Sequence, residues 1–153
     1  MLLRPYREED FDDLVTAWRA ASVVAHSFLS PDFLDAEVES IRDIYLPASE
    51  TWVAVDQEGA GKVIGFLALL GNEIGAIFVH PKSWKKGIGR ALMDKAVELR
   101  SNLTVEVFEA NEIGRAFYAG YGFVATGESV HKETGNALLQ LQFNVAKGLI
   151  GSD

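Results

Sequence analysis

A strand-like run, Ile74-Gly75-Ala76-Ile77-Phe78-Val79-His80, is stopped by Pro81 and followed by a basic turn, Lys82-Ser83-Trp84-Lys85-Lys86. The paired glycines Gly87 and Gly89 then open a helical pattern. No acid lies between Glu73 and Asp94, although the chain carries a formal net charge of -8. A strand, a glycine turn and a helix start in this order make an anion site. The first N–H groups of the helix have no internal partners and point outward, and glycine lets backbone approach a phosphate closely. The helix dipole adds about 0.3–1 kcal/mol for a nearby anion. Lys85, Lys86 and Arg90 add charge-assisted hydrogen bonds. The turn is not a P-loop, since no Gly-Lys-Ser/Thr follows, nor a Rossmann fingerprint, since Met93 stands where the third glycine belongs.

The rest of the chain is ordinary for a globular protein. Its 153 residues fit one domain, expected over residues 1–147 with a loose tail from Gly148 to Asp153. Cysteine is absent, which excludes disulfides, thiolate metal sites and a cysteine nucleophile and suits a reducing cytoplasm. Proline and charge arrive before any long apolar region at the N-terminus, so no signal peptide is expected. The apolar stretch from Val63 to Leu70 is too short to span a bilayer. The acidic balance argues against nucleic acid as a partner.

Periodicity orders the elements. Leu2 to Pro5 reads as a strand. Glu8 to Val24 reads as a helix with Phe11, Leu14, Val15 and Trp18 on one face. Ser30-Pro31 is an N-cap followed by a proline at the first helical position, and that helix is expected to end at Pro47. Thr51–Asp56, Lys62–Leu70 and Glu73–His80 read as an antiparallel meander. A helix over Gly87–Arg100, a strand over Leu103–Phe108 and a short helix over Asn111–Ala119 follow, the last broken by Gly120 and Gly122. Phe123–His131 and Ala137–Asn144 form a final hairpin. The expected fold is α/β (α+β), a mixed, mostly antiparallel sheet of about seven strands flanked by four helices, in the order β-α-α-β-β-β-α-β-α-β-β.

Two motifs and this order resemble the GCN5-related N-acetyltransferases across nearly the whole chain. Trp84-Lys85-Lys86-Gly87-Ile88-Gly89 resembles that family's Arg/Gln-x-x-Gly-x-Gly/Ala, with Trp84 at the position of Arg or Gln. Asn111 through Phe123 is similar to Asn-x-x-Ala-x-x-Phe-Tyr-x-x-x-Gly-Phe, with Gly114 and Arg115 where the alanine is usual. The resemblance implies acetyl-CoA held by the backbone of Ile77, Phe78 and Val79, by Trp84, Lys85, Lys86, Gly87, Ile88, Gly89 and Arg90, and by Asn111 and Tyr118. At the substituted position Trp84 either weakens binding or stacks on the cofactor.

The same resemblance makes Tyr118 the acid that protonates the departing thiolate; the alternative is a tyrosine packed on the sheet. Glu73 occupies the position of a general base, acting directly or through water; the alternative is a strand-edge carboxylate that attracts cations. His26 and Phe28 would line the acceptor pocket, His26 being equally a helix-end histidine. Asp32, Asp35 and Glu37 hint at a cationic acceptor or form a solvated helix face. The three histidines lack ligand spacing, so no metal is expected.

The expected activity is transfer of an acetyl group from acetyl-CoA to a primary amine, a small molecule or a peptide, by direct attack in a ternary complex. The protein would be a monomer or homodimer. Two other readings remain: a non-catalytic acyl-CoA-binding or regulatory module, favoured by Trp84 and by Phe108 where the family often has Asn, and an ATP-binding protein.

Overall fold

A computed structural model describes residues 1–58 and 61–144; the expected tail lies outside them. Among the described residues, seven strands form one sheet in the order β1-β2-β3-β4-β5-β7-β6. They are β1 (Leu2–Pro5), β2 (Glu50–Val55), β3 (Val63–Leu70), β4 (Glu73–Val79), β5 (Asn102–Phe108), β6 (Val124–Val130) and β7 (Ala137–Asn144). Every neighbouring pair is antiparallel except β4 and β5. The helices are α1 (Phe11–Ala25), α2 (Pro31–Ser40), α3 (Ile88–Leu99) and α4 (Glu112–Tyr121).

The sheet is covered on both faces, so alternate residues of its central strands enter different cores. Val53 and Val55 pack with Leu14, Trp18 and Leu34 of α1 and α2. Ala54, between them, joins Leu67, Leu92, Met93 and Tyr118 under α3 and α4. The entry to α1 is pinned by charge. Arg4 on β1 grips Asp10 through both guanidinium nitrogens at 2.7 and 2.8 Å, and Asp10 also accepts the Arg7 N–H at 2.9 Å. These bonds hold the Asp10 carboxyl below its usual range despite its burial.

Local signals placed most boundaries within two residues. Ser30 caps α2, accepting the Phe33 N–H at 3.1 Å, with Pro31 in the first turn. Two expectations fail for identifiable reasons. The helical path does not end at Pro47; it continues through a π turn, Ile41–Tyr45, and a last turn, Leu46–Ala48. A proline inside a helix clashes with the carbonyl four residues back. Here the backbone widens just before it, and Leu46 donates to the Ile41 carbonyl five residues back. Gly120 does not break α4 either. It lies on an exposed face and costs about 1 kcal/mol of helix propensity. The helix stops at Gly122, whose φ of 122° few other residues adopt.

Candidate active site

The site starts where β4 leaves β5. Their ladder contains only Glu73 opposite Thr104 and Ile74 opposite Val105. Next comes Gly75, the extra residue of a bulge against β3, and bulges bend and twist the strand that carries them. Beyond it the two strands part around a cleft of about 770 Å³.

Register decides which backbone groups face that cleft. His80 donates its N–H to the Ile64 carbonyl at 2.8 Å, one residue past the Gly65–Val79 rung. In an antiparallel ladder such a rung turns its own N–H and C=O groups away from the partner strand. Alternation turns Ile77 outward with Val79 and commits Phe78 to β3. The backbone of Phe78, expected to act with its neighbours, therefore faces the ladder. Its side chain lines the cleft and stacks on Phe66 at 5.8 Å.

The turn after β4 ends at the cleft. Lys85 and Gly87 both adopt left-handed backbone, φ 66° and 81°. Alternating conformations of this kind gather successive N–H groups into an anion-binding concavity, and the unbonded N–H groups at the start of α3 continue it. The two glycines do different work. Gly87 supplies the positive φ at the helix cap, with open space around it, whereas a Cβ on Gly89 would lie 3.2 Å from the ring of Phe117. Gly89 thus lets α3 approach α4. Lys85 and Arg90 line the cleft; Lys86 is exposed and lies outside it. Arg90 sits over the ring of Tyr121 at 5.4 Å, and the Tyr121 hydroxyl donates to Asp94 at 2.6 Å. The indole of Trp84 turns inward, packs against the apolar core and donates to the Val79 carbonyl at 2.6 Å.

A lysine in left-handed backbone costs about 1–2 kcal/mol. Glycine relieves that cost but loses up to about 1 kcal/mol of chain entropy. Lys85→Gly is therefore expected to raise the melting temperature by about 2–4 °C. A thermal melt checks it, and a lower midpoint contradicts the strain.

Tyr118 and Glu73 both line the cleft. Tyr118 is held on α4 between the rings of Phe117 and Phe123, at 5.5 and 5.4 Å. Burial pushes its phenol well above the usual range. Glu73 lies on the last rungs before the strands part. Partial burial raises its carboxyl, and the charge of Glu106 raises it further.

Asn111 and His26, expected in different subsites, are hydrogen-bonded to each other. Asn111 caps α4, its Oδ1 accepting the Gly114 N–H at 2.8 Å, and its Nδ2 lies 3.2 Å from His26 Nε2. Burial lowers the His26 pKa to about 4, so the ring is neutral near pH 7 and Nε2 accepts. The glycine at 114 is required by this arrangement, since a Cβ there would lie 2.5 Å from Asn111 Nδ2. Phe28 stays outside the cleft and packs edge-on to His26 and Phe108, at 5.8 and 5.2 Å.

Other lining residues escaped the sequence reading. The π turn brings Ile41 and Tyr45 to the cleft. Phe108 joins them from the end of β5, within 5.2 Å of both His26 and His131. His131 is fixed at the hairpin by Thr134 Oγ1, 2.9 Å from its Nδ1. Of the four acids on α2, only Glu37 lines the cleft, its carboxyl raised by burial and by Glu133, with His131 opposing. Asp35 pairs with Arg19 instead. The inward phase of α2 could have singled out Glu37, which lies between Leu34 and Ile41 on the buried stripe. Nothing local marks His131.

Known proteins resemble this chain in sequence and fold. Residues 47–125 match the family model described as an acetyltransferase (GNAT) domain. The chain is 34% identical over 127 residues to the peptidyl-lysine N-acetyltransferase YjaB of Escherichia coli strain K12, covering 83% of this chain and 84% of the relative. It is 28% identical over 123 residues to the peptidyl-lysine N-acetyltransferase YiaC of the same organism, covering 80% and 82%. The solution structure of apo-form YjaB from E. coli superposes with a TM-score of 0.82 at 32% identity, covering 93% of this chain and 96% of that one. With the splayed strands, the cradle turn and this likeness together, the chain belongs to the GNAT family of acetyltransferases.

Proposed function

We propose that the protein transfers the acetyl group of acetyl-CoA to the side-chain amine of a peptidyl lysine, by direct attack while both substrates are bound. The observation that carries this reading is the open edge of β4, where Ile77 and Val79 present backbone groups beside a cleft that runs into the cradle turn. That edge suits the amides of a pantetheine arm. The N–H groups around Lys85 to Arg90 suit a diphosphate. Acetyl-CoA supplies an activated thioester. The chain's own groups orient it, exclude water and handle protons.

The acceptor end supports a lysine in particular. It is lined by Phe33, Phe108, His26 and His131, with Glu73, Glu106 and Glu37 as its carboxylates. Rings accommodate an aliphatic stem and attract an ammonium, whereas a polyhydroxylated amine would bury hydroxyls without partners. The names of the relatives agree. Glu73 receives the proton of the incoming ammonium, and Tyr118 donates one to the departing sulfur. Asn111 caps α4 and orients His26, and it also lines the cleft. The working compartment is the cytoplasm; no helix among the described residues is long and apolar enough to cross a membrane.

Calorimetric titration with acetyl-CoA, followed by mass spectrometry of a lysine-containing peptide, tests the proposal. One-to-one binding and a one-acetyl mass gain on lysine are expected. Binding without transfer to any amine favours a non-catalytic acyl-CoA-binding module. Absence of binding rejects both.

A further inference from the structure

Trp84 stands where the related motif carries Arg or Gln, so it brings no charge or amide of that kind to a diphosphate. What it does bring is a donor aimed at the strand. Its indole N–H reaches the Val79 carbonyl at 2.6 Å, and that carbonyl is one of the groups which register turns toward the cleft. The ring that makes this bond is partly buried and packed against the core. It also comes directly before Lys85, the first left-handed residue of the cradle. The ring therefore ties the strand end to the start of the turn, and the left-handed positions 85 and 87 follow from a fixed point.

We propose that Trp84 is a cofactor-positioning residue. By holding the Val79 carbonyl it locks the cradle turn onto the end of β4. It also leaves a bound acyl carrier three outward-facing backbone groups on that strand, the N–H and C=O of Ile77 and the N–H of Val79. In this chain the charge contributed by the motif's arginine is replaced by preorganisation, which lowers the ordering cost of binding. The inference rests on the reading of the cleft as an acetyl-CoA site and specifies how this chain builds it.

The test compares wild type, Trp84→Phe and Trp84→Gln by calorimetry with acetyl-CoA and with ADP, and by steady-state kinetics. ADP carries the diphosphate without the arm. Removing the donor in Trp84→Phe leaves the Val79 carbonyl unpaired and the turn untied. The Kd for acetyl-CoA should rise about tenfold, the Kd for ADP should rise with it, and kcat at saturation should stay within about twofold. Trp84→Gln retains an N–H of similar reach and should restore ADP binding to within about threefold of wild type; this arm still decides if Trp84→Phe does not fold. Wild-type affinities in Trp84→Phe overturn the inference alone, as does an equal fall in kcat. Loss of ADP binding in a folded Trp84→Gln also overturns it. A wild type that binds no acetyl-CoA overturns the underlying reading of the site as well.

Discussion

Replacing Tyr118 by phenylalanine is expected to lower kcat by about 10²- to 10⁴-fold, the range for loss of a well-placed general acid, with acetyl-CoA affinity unchanged. The substitution removes one oxygen and leaves the ring contacts with Phe117 and Phe123 in place. Among the described residues the hydroxyl has no hydrogen-bond partner, so its loss orphans nothing and the variant should melt near wild type. Burial raises the phenol far above neutrality, so it carries its proton throughout the working range. The apolar surroundings that raise the phenol also penalise a bare thiolate, which couples proton donation to departure of the sulfur. Calorimetry and initial rates, measured side by side, separate this from a packing role. Wild-type turnover in Tyr118→Phe would make the residue a core tyrosine and nothing more.

The parts of this site that were legible in the sequence are those whose cause is local. A cap serine before a proline, a basic glycine turn after a strand, and an Asn-to-Phe motif ending in Gly122 each declare themselves within a few residues. The parts that were not legible depend on register or on distant partners. Whether Phe78 or Val79 faces the cleft depends on which β3 residue lies opposite it, and the bulge at Gly75 appears only once β3 and β4 are paired. The bonds of Asn111 to its own helix cap and to the imidazole of His26, 85 positions away, need the folded chain to be seen together. Trp84 looked like a lost arginine because its partner, a backbone carbonyl, leaves no mark in sequence. Nothing local marks His131, which follows the exposed strand β6; only the hairpin turn brings its ring onto Phe108.

Glu73 offers the second large effect and the sharper discrimination. As a base it works only when ionised, and burial together with Glu106 raises its carboxyl above the ordinary glutamate range. The wild-type kcat/KM for the amine should therefore fall as pH drops through that raised value, while acetyl-CoA binding stays level. Glu73→Gln should lose about 10²-fold or more and lose that limb of the profile. The same raised pKa fixes the sign for stability. A carboxyl held above its unfolded value favours the fold at low pH, and that contribution disappears as pH rises through the folded value. Glu73→Gln should consequently melt no lower than wild type at neutral pH, the pattern of a group kept for chemistry at some cost to stability. The amine's own titration also gives a limb, so the decisive variant is Glu106→Gln. It leaves Glu73 in place and removes the neighbouring charge, and so should move only the carboxylate limb, toward lower pH. A limb that stays put in Glu106→Gln and survives in Glu73→Gln would belong to the amine alone, and Glu73 would then act as an attracting charge.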